Sequence, residues 1–111
     1  GGQFGGVFPG QVKTAEVEVS NLGSQSLTVS GPGSVTGPDA ADFFILDNDC
    51  DGVTLGFGQS CDLTVEFDPT AAGVRSAVLH LQSNAPSAID INLSGSGLVG
   101  VTGPAGPVRN G

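Results

Sequence analysis

The sequence predicts an all-β fold, an antiparallel sandwich, and three observations carry that reading. Apolar and polar residues alternate through most of the chain, the period of a strand with one buried and one wet face. Clusters of Gly, Pro, Asn and Asp separate these runs at near-regular spacing. No run has helical periodicity, and 19 Gly and 7 Pro among 111 residues supply many turns.

The elements follow in order. "FGGVF", Phe4 to Phe8, can open a sheet. In "TAEVEVS", Ala15, Val17 and Val19 alternate with Thr14, Glu16, Glu18 and Ser20. "SLTVS", around Leu27 and Val29, is a shorter strand. In "PDAADF", Pro38 and Asp39 open a single helical turn. "FFIL", residues 43–46, reads as a strand buried on both faces. "CDLTVEF" sets Cys61, Leu63, Val65 and Phe67 against Asp62, Thr64 and Glu66. "SAVLHLQS" sets Ala77, Leu79 and Leu81 against Val78, His80 and Gln82. "AIDINLS" sets Ile89, Ile91 and Leu93 against Asp90 and Asn92. Turns are expected at Asn21-Leu22-Gly23, Gly31-Pro32-Gly33, Gly37-Pro38-Asp39, Asp68-Pro69 and Asn84-Ala85-Pro86. The shared interior is expected to hold Val17, Val19, Leu63, Val65, Phe67, Leu79, Leu81, Ile91 and Leu93.

Residues 1–96 make one domain, long enough to bury roughly two-thirds of its unfolded surface. Beyond it, Gly97, Gly100, Gly103 and Gly106 head the triplets "GLV GVT GPA GPV". These are too few for a collagen helix, so residues 97–111 read as a linker or terminal extension. A chain opening "GGQFGGVF" without Met is read as a mature form or an excised domain.

Net charge is −8, with Lys13, Arg75 and Arg109 as the only Lys or Arg. Three cations cannot track a phosphate backbone, which argues against nucleic acid. They also argue against anionic membrane surfaces. No apolar run reaches the roughly eighteen residues of a spanning helix. The expected partners are therefore proteins, either copies of this chain or neighbouring domains.

Four stretches occur in order: "SNLGSQSL", "GPDAADF", "FDPTAAGVRSA" and "LSGSG". On these the chain resembles, over about residues 4–97, bacterial choice-of-anchor D domains, relatives of the ASH and major-sperm-protein-like domains. The resemblance implies an immunoglobulin-like β-sandwich of seven to eight strands. It implies exported, often multidomain surface proteins. It implies no catalytic residues. The Gly-X-Y tail lies outside it.

Cys50 and Cys61 have a spacing similar to the family's paired cysteines. Bridging them closes a ring of twelve residues, worth ~3 kcal/mol in the chain-entropy model. A disulfide implies an oxidising compartment, outside the cell or on its surface; two reduced, buried thiols are the alternative.

"DNDCDG" begins like a calcium loop, with Asp47, Asp49 and Asp51 at alternate positions and Gly52 sixth. Position twelve, where a bidentate Glu belongs, is Gly58, and the flanking helices are missing. The three aspartates are thus weak calcium candidates, with Asp39, Asp42 or Asp62 as possible neighbours in space. No other cofactor is implied.

His80, the lone histidine, sits on the polar face of its strand without Cys or His partners, which makes a poor zinc site. Ser, His and Asp occur, but there is no nucleophile elbow, and strand alternation is expected to scatter them. Phe57, between Gly56 and Gly58, is a candidate contact anchor. Phe4, Leu98, Val99 and Val101 lie in the apolar terminal segments and are candidates for assembly.

These features read as a non-enzymatic extracellular module, structural or assembling. A terminal segment adding a strand to a neighbour's open edge would give a homopolymer or filament. The alternative is an adhesion module that holds a ligand or calcium on its disulfide loop, residues 47–62.

Overall fold

The computed structural model describes residues 2–100 of the chain. Eight strands form two sheets: β1 (Gln3–Val7), β2 (Lys13–Ser20), β3 (Leu27–Thr36), β4 (Phe43–Asn48), β5 (Thr54–Leu55), β6 (Ser60–Phe67), β7 (Gly73–Ser83) and β8 (Ile89–Gly97). One sheet has the order β1-β8-β7-β3-β5, the other β2-β6-β4. All pairings are antiparallel except β1 with β8. This is the sandwich expected from the alternation, with the immunoglobulin-like architecture that the resemblance implied. Among the described residues no helix is long and apolar enough to cross a membrane.

The core lies between the sheets. Val17, Val19, Leu63, Val65, Phe67, Leu79, Leu81 and Leu93 are buried in it. Ile91 packs against it half-buried. Three phenylalanines from different strands stack at its centre: Phe43 lies 4.8 Å from Phe67, and Phe4 lies 5.7 and 5.6 Å from the two. Phe4 is therefore not a contact residue. Parallel pairing of β1 with β8 turns its ring inward, where it is 1% exposed.

Two further expectations change. Gly31-Pro32-Gly33 is not a turn but a bulge inside β3, which runs on to Thr36. Positive φ at Gly31 (82°) and Gly33 (78°) lets the strand absorb extra residues and keep its pairing with β7. β4 is not buried on both faces. It is one of the two edges of the smaller sheet, with Phe44 and Leu46 44% and 55% exposed. The helical hint resolves as one 3-10 turn, Ala40–Asp42.

Candidate functional site

β4 is fastened at both ends. The chain turns at its last residue, Asn48, whose Oδ1 accepts from Cys50 N–H at 2.9 Å. Cys50 is then bonded to Cys61 at the start of β6, with Cα atoms 5.2 Å apart. The ring so closed carries β5, which pairs with β3. Its tip, Gly56-Phe57-Gly58, is anchored by Gly58 N–H donating to Asn21 C=O at 2.7 Å. Phe57 stands 73% exposed there, and Leu22 is 80% exposed next to Asn21.

Before β4, Asp42 is 1% exposed and tied to Arg75. Arg75 Nε donates to Asp42 Oδ2 at 2.7 Å, and Thr70 donates through N–H and Oγ1 at 3.2 and 3.0 Å. Arg75 also meets Asp39 at 3.4 Å. Burial alone, the largest influence, would raise the Asp42 carboxyl. The hydrogen bonds from Arg75 and Thr70, with the Arg75 charge, outweigh it and hold the carboxyl below its ordinary range. The same contacts raise Arg75: the bond to Asp42 dominates, burial opposes it, and the charges of Asp42 and Asp39 add.

The calcium candidates find no such company. Asp47 lies on β4 opposite Thr64, and Asp49 N–H donates to Asp62 C=O. Asp39 and Asp42 are committed to Arg75 instead. Among the described residues no group of three His, Cys, Asp or Glu is placed to hold a metal ion.

Strand register joins what alternation was expected to scatter. On the outer face of the larger sheet, Thr36 Oγ1 lies 2.6 Å from His80 Nε2, and His80 Nδ1 lies 2.6 Å from Asp90 Oδ1. This hydroxyl–imidazole–carboxylate row spans β3, β7 and β8. Sequence reasoning missed it because its members are brought together by pairing across three strands. N–H groups in a sheet lie in its plane, so the strands that carry the row direct none of theirs above the face at a developing oxyanion.

At the corner where β8 ends, Leu98 N–H donates to Val7 C=O, and the Leu98 side chain lies over Gly6. Leu98 is 37% and Val99 70% exposed, with Phe8 nearby at 43%. Val101 lies outside the described residues.

The geometry also explains the four sequence markers. "GPDAADF" and "FDPTAAGVRSA" supply the two halves of the Asp39–Asp42–Thr70–Arg75 clamp. "SNLGSQSL" supplies Asn21, buried, with Nδ2 donating to Gln25 and Leu55 carbonyls. "LSGSG" supplies Gly95, where a Cβ would strike the Phe67 ring. All four are structural.

A family model for the HYDIN/CFA65/VesB-like Ig-like domain matches residues 2–96. The chain belongs to that family. No curated protein sequence matches the chain. Among solved structures, this HYDIN/CFA65/VesB-like domain is similar to the secreted serine protease VesC from Vibrio cholerae, with TM-score 0.69 and 23% identity over 90% of this chain. It is similar to the Vibrio cholerae VesB protease, with TM-score 0.57 and 24% identity over 84%. The ASH/PapD-like domain of human CEP192 aligns with TM-score 0.58 and 16% identity over 89% of this chain and 81% of that one. These likenesses show the fold. The chain spans only 22% of VesC and 29% of VesB.

Proposed function

We propose that this domain is a non-catalytic Ig-like module of an exported protein, and that it docks a protein partner along the open edge of β4. One observation carries the reading. β4 ends its sheet with Phe44 and Leu46 exposed, and among the described residues no strand pairs with its outer side. Edge strands normally carry Lys, Pro, charge or a bulge against unwanted pairing. "FFIL" carries no charge and no Pro, and the one irregularity of β4, a register shift between Ile45 and Asp47, leaves Phe44 and Leu46 exposed. A strand added there would gain main-chain hydrogen bonds and cover both side chains.

Export is supported by the Cys50–Cys61 disulfide and by the secreted relative. A non-catalytic role is supported by the small share of the protease chains that such a domain represents. A filament is the second reading, favoured by the apolar corner of Phe8, Leu98 and Val99.

Random-peptide display on the immobilised chain tests the first reading. The expected winners are extended peptides that shift β4 amides by NMR and fail to bind Leu46→Lys. Winners that footprint on the Phe57 tip, or no winners, would overturn it. Sedimentation tests the filament: a species that grows with concentration and vanishes in Leu98→Asp, Val99→Asp supports self-assembly through that corner.

A further inference from the structure

The outer face of the smaller sheet says what kind of segment fits the β4 edge. Directly opposed residues share a face, so register assigns it. Thr14, Glu66 and Phe44 align across the three strands, as do Glu16, Thr64 and Asp47. Glu18 faces Asp62 directly. The face thus presents the carboxylates of Glu16, Glu18, Asp47, Asp62 and Glu66. None of them is in an ion pair among the described residues. Arg75 is occupied by Asp39 and Asp42. Lys13 aligns with Phe67, on the opposite parity, and its ammonium lies near Gly5. An apolar strip, Phe44 and Leu46, borders this anionic field on the open side.

Resting on the β4 reading, we propose that the docked segment is a cationic extended polypeptide, with Lys or Arg at alternate positions on its outward side. Strands lie about 4.8 Å apart, so a residue paired with β4 stands about two spacings from β6. A Lys or Arg side chain reaching inward and the Glu66 side chain reaching outward close that gap together. The Lys or Arg methylenes cover Phe44 while the charge reaches Glu66, Thr64 or Asp62. The two strips of this face therefore match two parts of one side chain. A second copy of this chain supplies no such segment, because Lys13, Arg75 and Arg109 are its only Lys or Arg and no two of them stand at alternate positions.

Three synthetic peptides of equal length test it, alternating Val with Lys, Ser or Glu, each titrated by NMR into the whole chain. The Lys peptide should bind about tenfold tighter than the Ser peptide, the scale of a few exposed ion pairs together. Its shifts should centre on β4 and β6. Raised salt, or Glu66→Gln with Asp62→Asn, should erase that advantage and leave Ser-peptide binding unchanged. Phe44→Ser should weaken both. Equal binding of the Lys and Ser peptides, or Lys-peptide shifts spread over the whole acidic surface, would overturn the cationic partner while β4 docking stands. If none of the three perturbs β4, the docking reading itself fails.

Discussion

The two ends of β4 are held by different chemistry. At its start, the Asp42 carboxylate is clamped by Arg75 and Thr70. At its end, Cys50 is bonded covalently to Cys61 of β6. The first fastening is electrostatic and joins both sheets, because Arg75 belongs to β7 and Asp42 leads into β4. The second stays beside the smaller sheet. Between them lies an edge that pairs only inward and whose outer face repels itself. A strand in that position needs bracing by something other than its own contacts. The braces differ in what releases them: protons for one, reductant for the other.

The largest effect is expected from removing the covalent brace. Cys50→Ala with Cys61→Ala should lower stability by ~3 kcal/mol, the loop-closure value for a ring of this size. Urea denaturation of the double variant measures it. A loss much below 1 kcal/mol would mean that β4 is held elsewhere. Intact mass after alkylation without reductant should show no modified cysteine in the native chain.

The electrostatic brace comes next. Asp42→Ala strands a guanidinium and two Thr70 donors, so about 2–3 kcal/mol should be lost. That is below the range for an enclosed pair, because Arg75 keeps 20% of its side chain in water. The pH signature is specific. Asp42 titrates below its ordinary value of 3.8 when folded, so its stabilising share is fully present above pH 3.8. It is lost as pH falls through the lower folded value. Denaturation midpoints measured from about pH 6 down to about pH 2 should fall more steeply in the native chain than in Asp42→Ala. Parallel slopes would show that the clamp is not the acid-sensitive element.

Much of this architecture was legible in the sequence. Period-two alternation located β2, β6, β7 and β8, because their inner residues must be apolar to be buried at all. It misread β4, because a run of four apolar residues looks the same in a strand covered on both faces and in one left open on one side. It missed the bulge in β3, because Gly-Pro-Gly serves a turn and a bulge equally well. The clamp was not legible, although its members lie in two of the four stretches that carry the resemblance. Asp42 and Arg75 are 33 residues apart, and nothing local says that they meet. The acidic outer face was present as letters, Glu16, Glu18, Asp62 and Glu66, but it became a surface only once register fixed which strands are neighbours.

The smallest effect tests the face between the two braces. Glu18 and Asp62 stand directly opposite each other on β2 and β6. Like charges in that position destabilise a sheet by a few tenths of a kcal/mol. Glu18 does accept a long hydrogen bond, 3.4 Å, from Ser60 Oγ, and Gln can keep it. Glu18→Gln should therefore stabilise the chain by ~0.3 kcal/mol. Asp62→Asn should do about the same. The double variant should gain less than the sum, because one repulsion cannot be removed twice. The gains should also shrink in high salt, which screens the exposed pair. Effects this small need a full cycle of denaturation curves with shared baselines. If Glu18→Gln instead destabilises the chain at low salt, the face is not under mutual repulsion, and the electrostatic basis for a cationic partner goes with it.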